Sequence, residues 1–408
     1  LLQRAASRLK RVRSNRPVLA LAAMVAAVAM MWLAVNSVGW AGPLVADIAR
    51  SIVGAEAVSR LEDFAYGVED RWNTWRWRAA PPEAYWDAPP STEEPESPPI
   101  ASRDTLPELP ETPEFRPADV GPLFREMAAK GDGNWVPVVD PAHKDDPPLL
   151  YKTLVHPDKR RSWSELFVVA IDLRRVQLFA AAGTLEPKAT TEEGLAYKRS
   201  GVVPEPRRDA LVAAFDGGFK AEHGQWGMKV DGVTLLPPRD RGCTVAGYSD
   251  DSVRIGTWTA LADTAPDTTF WRQTPSCIVE NGNLNPGLVN EESISWGAAL
   301  GGGTVVRRSA VGLNANRTIL YMGVGNATTA RAIALGMQHA GATDVAQLDI
   351  NWSYPHFIMF RPSKNGSRQG FTLFDGFAYE ENEYLSRSST RDFFYLVRKD
   401  ASLTQRER

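Results

Sequence analysis

Apolar residues are grouped along this chain in three ways, and each grouping predicts a different kind of segment. From Val18 to Val35 every residue is apolar. Between 44 and 78 the large apolar residues Ile48, Ile52, Leu61, Phe64, Val68, Trp72 and Trp75 recur at steps of three and four or their multiples, which predicts an amphipathic helix. From about Val120 onward, short runs rich in Val, Leu, Ile and Phe are bounded by Gly, Asn and Asp, which predicts strands. SELFVVAIDLRRVQLFAA at 164–181 reads as two strands or one long bent strand, and LVAAFD at 211–216 as another. MKVDGVTLL at 228–236 reads as a hairpin turning at Asp231-Gly232. VRIGTW, CIVENG, TVVRRSAVGLN and TILYMGVG add further strands, with NANR at 314–317 a turn between the last two. One helix stands out among them. Thr328 or Thr329 caps its start, Ala330, Ile333, Ala334 and Met337 form its buried face, and Gly341 stops it. DVAQLDI at 344–350 then predicts a strand that carries Asp349 to its end. The fold class expected is α+β, a large mixed or antiparallel sheet with few helices.

The segments before Val120 set the organisation. Arg4, Arg8, Lys10, Arg11, Arg13 and Arg16 form a basic head, and no charge follows until Asp47. As a helix, Val18–Val35 rises roughly 27 Å, close to the hydrocarbon thickness of a bilayer. Residues 1–43 are expected to be a cytoplasmic head and membrane anchor crossing through 18–38. The basic side stays inside and the main domain lies outside, periplasmic or at the cell surface; a cleaved signal peptide is the rival reading. Residues 44–78 are the amphipathic helix. Its stripe, with Trp72, Trp75 and Trp77 among Arg71, Arg76 and Arg78, suits either a membrane surface or packing on the main domain or a second copy. Residues 79–119 hold eleven prolines between Pro81 and Pro117, with scattered glutamates, and predict an extended, disordered spacer. Residues 120–400 are the globular domain.

Composition narrows the chemistry. The 408 residues are 43% hydrophobic and 23% charged with a net charge of −3, which gives no electrostatic reason to expect nucleic acid. Two cysteines, Cys243 and Cys277, form no Cys-x-x-Cys pattern, and whether they pair is open at this stage. His223, His339 and His356 lack metal-ligand spacing, no Gly-x-Ser-x-Gly elbow occurs, and neither a metal nor a cofactor is expected. The oligomeric state is not legible.

Four motifs carry candidate chemistry: FDGGF at 215–219, WRQTPSCIVENGNLNP at 271–286, RRSAVGLN at 307–314 and AQLDINWS at 346–353. In this order they resemble the phosphodiester glycosidase family, the uncovering-enzyme type that hydrolyses a sugar from a phosphodiester. The resemblance covers roughly 210–360. It implies a hydrolase acting on a sugar-phosphodiester or related glycosidic bond in envelope or exported glycans. Glycoside hydrolysis usually needs a pair of carboxylates, and the motifs supply Asp216 and Asp349 as the candidates. Gly217 and Gly218 allow close approach of a ligand. Arg308 and Arg272 are the anion contacts, since a guanidinium fork matches phosphate oxygens; a surface salt bridge is the other role open to Arg272. Asn351 and Ser353 are further substrate contacts. The chain departs from the family at two places. Asp216 stands where the family has Asn, and Asp349-Ile350-Asn351-Trp352-Ser353 replaces Asp-Gly-Gly-Gly-Ser. A non-catalytic glycan- or partner-binding protein on the same scaffold is therefore the second reading.

Overall fold

In the computed structural model the described residues are 55–77, 115–140, 143–288, 304–351, 354–363, 367–372 and 382–399, together with Pro82, 84–87, Phe377, Tyr379 and Glu380. The expected anchor at 18–38, Trp352 and Ser353 lie outside them. Residues 1–58 form one unit and Ser59–Arg408 a second. Among the described residues no helix is long and apolar enough to cross a membrane.

The second unit is built on three sheets, and every strand pairing described within them is antiparallel. With its few helices this is an α+β fold, as the apolar pattern predicts. The largest sheet runs Val136–Pro137, Leu150–Val155, Glu165–Asp172, Ile319–Thr328, Val306–Leu313, Asp344–Ile350, Val279–Glu280 and Asn283–Leu284 from edge to edge. Its middle strands are apolar on both sides because both sides are covered. Leu166, Val168 and Ala170 face the helix Ala330–His339 through Ile333, Ala334 and Met337. Phe167, Val169 and Ile171 point the other way, into a core shared with Phe215, Val245 and Phe357 of the other two sheets. The helix carries the chain over Val306–Leu313, so that Ile319–Thr328 and Asp344–Ile350 flank that strand and run in the same direction.

The second sheet orders Arg368–Thr372, Phe357–Pro362, Leu211–Asp216, Phe393–Arg398 and Val176–Ala181. The third orders Val233–Leu236, Met228–Val230, Thr268–Thr274, Cys243–Tyr248 and Val253–Thr257. The 164–181 run is thus two strands in different sheets, Glu165–Asp172 in the first and Val176–Ala181 in the second. The turn between them is fixed by buried Asp172, which accepts from Arg174 Nε at 2.8 Å.

Local signals act where they are expected. Asp231 and Gly232 both take positive φ, 51° and 78°, and join Val230 to Val233. Asn281 and Gly282 do the same at 51° and 75° between Glu280 and Asn283. Of the two candidate caps, Thr329 is the one used: its hydroxyl accepts from Ala332 N at 3.1 Å. Gly341 follows the helix at φ 111°. Cys243 and Cys277 are joined in a disulfide that ties the start of a third-sheet strand to the approach of Val279–Glu280.

The segment expected as a spacer contributes to the domain at both ends. Tyr85 donates to Glu165 Oε1 at 2.9 Å and stacks edge-on to Phe167. Lys152 lies over the Trp86 ring, Phe115 is buried against Tyr151, and Asp119 accepts from Trp135 N at 2.7 Å. Aromatic rings scattered among prolines supply burial that a count of prolines does not register.

Candidate functional site

The three sheets converge where Leu211–Asp216 ends and Phe393–Arg398 begins, and the candidate residues collect at this junction. Asp216 closes its strand opposite Phe393 and is fully buried. Its Oδ1 accepts from His356 N at 3.1 Å, and its Oδ2 is bonded to the Ser309 hydroxyl. Ser309 belongs to the first sheet, so this hydroxyl joins two sheets. The same Oγ accepts from Asp349 N at 3.0 Å and lies 3.4 Å from Asp349 O. Asp216 and Asp349, 133 positions apart in the sequence, are therefore coupled through one serine.

The two carboxyls have different surroundings. Burial drives the Asp216 pKa well above the usual carboxylate range; the Ser309 bond opposes this and the charge of Asp349 adds to it. Ser309 Oγ donates to Asp216 Oδ2 and accepts from Asp349 N. Asp349 is 4% exposed; its Oδ1 accepts from Ile350 N at 2.8 Å. Arg391 Nη2 lies 2.9 Å from Asp349 Oδ2, an ion pair in contact without hydrogen-bond alignment. Burial works against the Arg391 charge, but Asp349, Tyr354 and Asp392 together hold its pKa above the ordinary guanidinium value. Arg391 also donates to Gly218 O at 2.9 Å and sits 4.4 Å from the centre of the Tyr354 ring. Burial raises the Tyr354 hydroxyl well above its usual range, so it stays protonated and donates to Asp392 O at 3.2 Å.

The two arginines expected as anion contacts are placed otherwise. Arg272 is fully buried and spends all five donors on the protein. Nε and Nη2 hold Asp392, at 2.8 and 3.3 Å; the remaining donors go to the carbonyls of Trp226, Gln273 and Phe219. Neither a substrate contact nor a surface salt bridge fits this position, because no donor is left and no part of the group reaches solvent. Arg308 is the inward member of its pair, as alternation along a strand predicts. Its guanidinium bonds Thr328 O at 3.1 Å, Gln347 Oε1 at 3.1 Å and Thr304 O at 3.0 Å. Gly217 and Gly218 are required by packing on this scaffold. A β-carbon at 217 would stand 2.1 Å from Asp392 Oδ2, and one at 218 would stand 2.8 Å from Arg272 Cζ. Their N–H groups donate to Asp392, at 3.0 Å to its carbonyl and 2.9 Å to Oδ2. Asn351 donates its N–H to Arg307 O at 3.2 Å. Ser353 lies outside the described residues.

Sequence reasoning missed Ser309, Arg391 and Asp392 as parts of the site. One signal for Arg391-Asp392 exists: two charged residues directly before the apolar run FFYLV, a strand-start position like that of the other candidates. Ser309 was inside a motif already singled out, but its value depends on which carboxylates it meets. The three histidines lie apart, His223 near Glu222, His339 on Gly121 O and His356 on the Tyr384 hydroxyl. Among the described residues no group of three or more His, Cys, Asp or Glu is placed to hold a metal.

No protein-family model matches the chain, and no curated protein matches it. Solved structures are similar to it in fold. The catalytic domain of zebrafish N-acetylglucosamine-1-phosphodiester alpha-N-acetylglucosaminidase, auto-inhibited by its pro-peptide, is 14% identical over 65% of this chain and 88% of that one, with a TM-score of 0.39. A hypothetical protein from Synechocystis is 10% identical over 63% and 65%, at 0.32. A Burkholderia pseudomallei protein described as exported is 12% identical over 57% and 74%, at 0.30. At this level the likeness is one of distant fold and assigns no residue of this chain a role.

Proposed function

We propose that the chain is an extracytoplasmic hydrolase of sugar-phosphodiester or related glycosidic bonds, with Asp349 as its working carboxylate. The observation that carries this reading is the coupling of the Asp349 backbone to the Asp216 carboxyl through Ser309, with burial raising the Asp216 pKa. Glycoside hydrolysis uses two carboxyl groups whose environments push their protonation states apart. Here Asp216 is buried with its pKa raised, and Asp349 is in contact with Arg391. Asp349 takes the proton of a water as the oxygen attacks the anomeric carbon, or attacks it directly. The C–O bond breaks and the phosphate leaves with the electron pair. A phosphate of low basicity needs little help from a general acid. It needs positive charge, and Arg391 is the guanidinium beside Asp349. The disulfide between Cys243 and Cys277 suits an oxidising compartment outside the cytoplasm.

The test is release of sugar from phosphodiester and aryl glycosides by the purified chain and by Asp349→Asn. Loss of turnover in a variant that still unfolds cooperatively supports the role; equal turnover in both ends it. One observation favours the alternative, a non-catalytic glycan- or partner-binding protein. Asp216 is fully buried with both oxygens engaged, and Asp349 is 4% exposed under Arg391. On that reading the cluster is a structural tie. Glycan binding without turnover in wild type is its expected result.

A further inference from the structure

The helix Ala55–Arg76 is tied to the domain by a polar contact within the second unit. Asp70 faces the domain and takes a two-pronged bond from Arg161, Nε to Oδ1 at 2.8 Å and Nη2 to Oδ2 at 2.9 Å. Arg161 is held in turn by Asp158 at 2.8 Å. The half-buried positions Tyr66, Asn73 and Trp77 lie on the same side as Asp70. The opposite side carries Phe64, Val68, Trp72 and Trp75, at steps of four, four and three, which place them on one stripe. Their exposures are 65%, 45%, 58% and 68%. In the helix Ala330–His339 the apolar face is buried and Thr329 caps the start. The first helix inverts that arrangement: a polar pair fixes it and its largest apolar side chains face out. Exposed large apolar side chains in a contiguous row mark a surface that something covers.

The occupant follows from area, composition and chain length. At 150–250 Å² per aromatic side chain, the exposed parts of these four offer roughly 400–500 Å². A stable pair of protein copies needs about 800 Å² from each side, so the stripe alone falls short for a second copy. A lipid surface has no such threshold, since it needs neither shape complementarity nor a matching patch. Trp72 and Trp75 lie side by side, with ring centres 5.1 Å apart, and Arg71 and Arg76 are exposed beside the stripe; Glu69 is the exposed acidic neighbour. Indole and guanidinium groups at the border of an apolar face fit the headgroup layer of a bilayer. The wholly apolar run Val18–Val35 ends nineteen residues before Ala55. Nineteen residues span roughly 28 Å as helix and at most about 65 Å extended, so a run inserted in a bilayer holds this helix within reach of the same bilayer's surface.

We infer that the Phe64–Val68–Trp72–Trp75 face lies in the interfacial layer of a lipid bilayer, making the helix a platform that seats the domain on the membrane. This does not depend on the hydrolase reading. The test uses the full chain in nanodiscs of phosphatidylcholine and phosphatidylglycerol, with single nitroxide labels at Phe64→Cys, Val68→Cys and Trp72→Cys. Thr74→Cys, exposed and about 120° round the helix from Val68, is the control. The native cysteines are joined to each other, so the introduced thiol takes the label. Oxygen collisions should exceed nickel-chelate collisions several-fold at 64, 68 and 72, with depths of roughly 5–10 Å below the headgroups, and the ratio should invert at 74. Equal nickel access at all four positions overturns the inference. Dipolar broadening at 68 and 72 that disappears on dilution with unlabelled chain also overturns it, and assigns the face to a second copy.

Discussion

Two buried carboxyl clusters lie side by side at the junction of the three sheets, and they are built on opposite principles. Around Asp392 every polar group is matched. Arg272 grips both oxygens, two glycine N–H groups complete the shell, and the remaining donors of the arginine close on three carbonyls. Around Asp216 and Asp349 the matching is incomplete. One serine joins the Asp216 carboxyl to the Asp349 backbone, burial raises the Asp216 pKa, and the ion pair of Asp349 with Arg391 is in contact but not aligned. A closed set of bonds fixes geometry, because any change costs the desolvation of a buried charge. An open set leaves protons that can move. On the proposed reading the first cluster holds the scaffold and the second carries the chemistry, with Arg391 the more exposed of the two arginines.

Mutations that treat the two clusters alike would erase this contrast. The largest effect is expected from Arg272→Ala, which strands Asp392 in the core. Breaking a buried pair costs about 3–5 kcal/mol, to be read from chemical denaturation. A loss below about 1 kcal/mol would show that Asp392 is not the keystone of the junction. Next comes Asp349→Asn. It should cut turnover by about 10²–10⁴-fold, the usual contribution of a catalytic acid or base, with a smaller stability loss than Arg272→Ala because Arg391 is partly exposed and keeps its bond to Gly218 O. Ser309→Ala follows. It removes the bridge and leaves Asp216 Oδ2 and Asp349 N without their hydroxyl, a loss of about 1–3 kcal/mol in denaturation.

The smallest effect, and the sharpest, concerns pH. Asp216 has a folded pKa raised by burial, so the folded state binds its proton more tightly than the unfolded state, whose carboxyl titrates near 3.9. The stabilisation from the protonated form is complete below that value. It is lost as pH rises toward and through the folded pKa. Asp216→Asn has no proton to lose. Its melting temperature relative to wild type should therefore climb between pH 5 and pH 8, by a few degrees for about 1 kcal/mol. A constant difference across that range would mean that Asp216 is ionised in the folded protein. The cluster would then be two charges tied by Ser309.

The neighbouring clusters also mark how far the chain could be read before folding. FDGGF drew attention through its glycines, and they matter, but the close approach they permit is that of Asp392 and Arg272. Arg272 and Arg308 looked alike as candidates, each an arginine in an apolar strand. The sequence carries no sign that one has every donor taken up by the scaffold, because four of the five acceptors of Arg272 lie 46 to 120 positions away or are backbone carbonyls of distant turns. Arg391 and Asp392 stood outside the motifs altogether. They reach the site only because Phe393–Arg398 pairs with Leu211–Asp216.

The chain alone determined the α+β class, the turns at Asp231-Gly232, Asn281-Gly282 and 314–317, the capped helix ending before Gly341, and the delivery of Asp216 and Asp349 to strand ends. All of these follow from apolar period, local backbone preference and short-range hydrogen bonding. Tertiary structure decided that the 164–181 run splits between two sheets, that Cys243 meets Cys277, that Ser309 joins the Asp216 carboxyl to the Asp349 backbone, and that the Phe64–Trp75 stripe of the first helix faces outward. Each of these depends on which distant residue is brought opposite. That is set by the burial of a shared core across three sheets, which local preference does not encode.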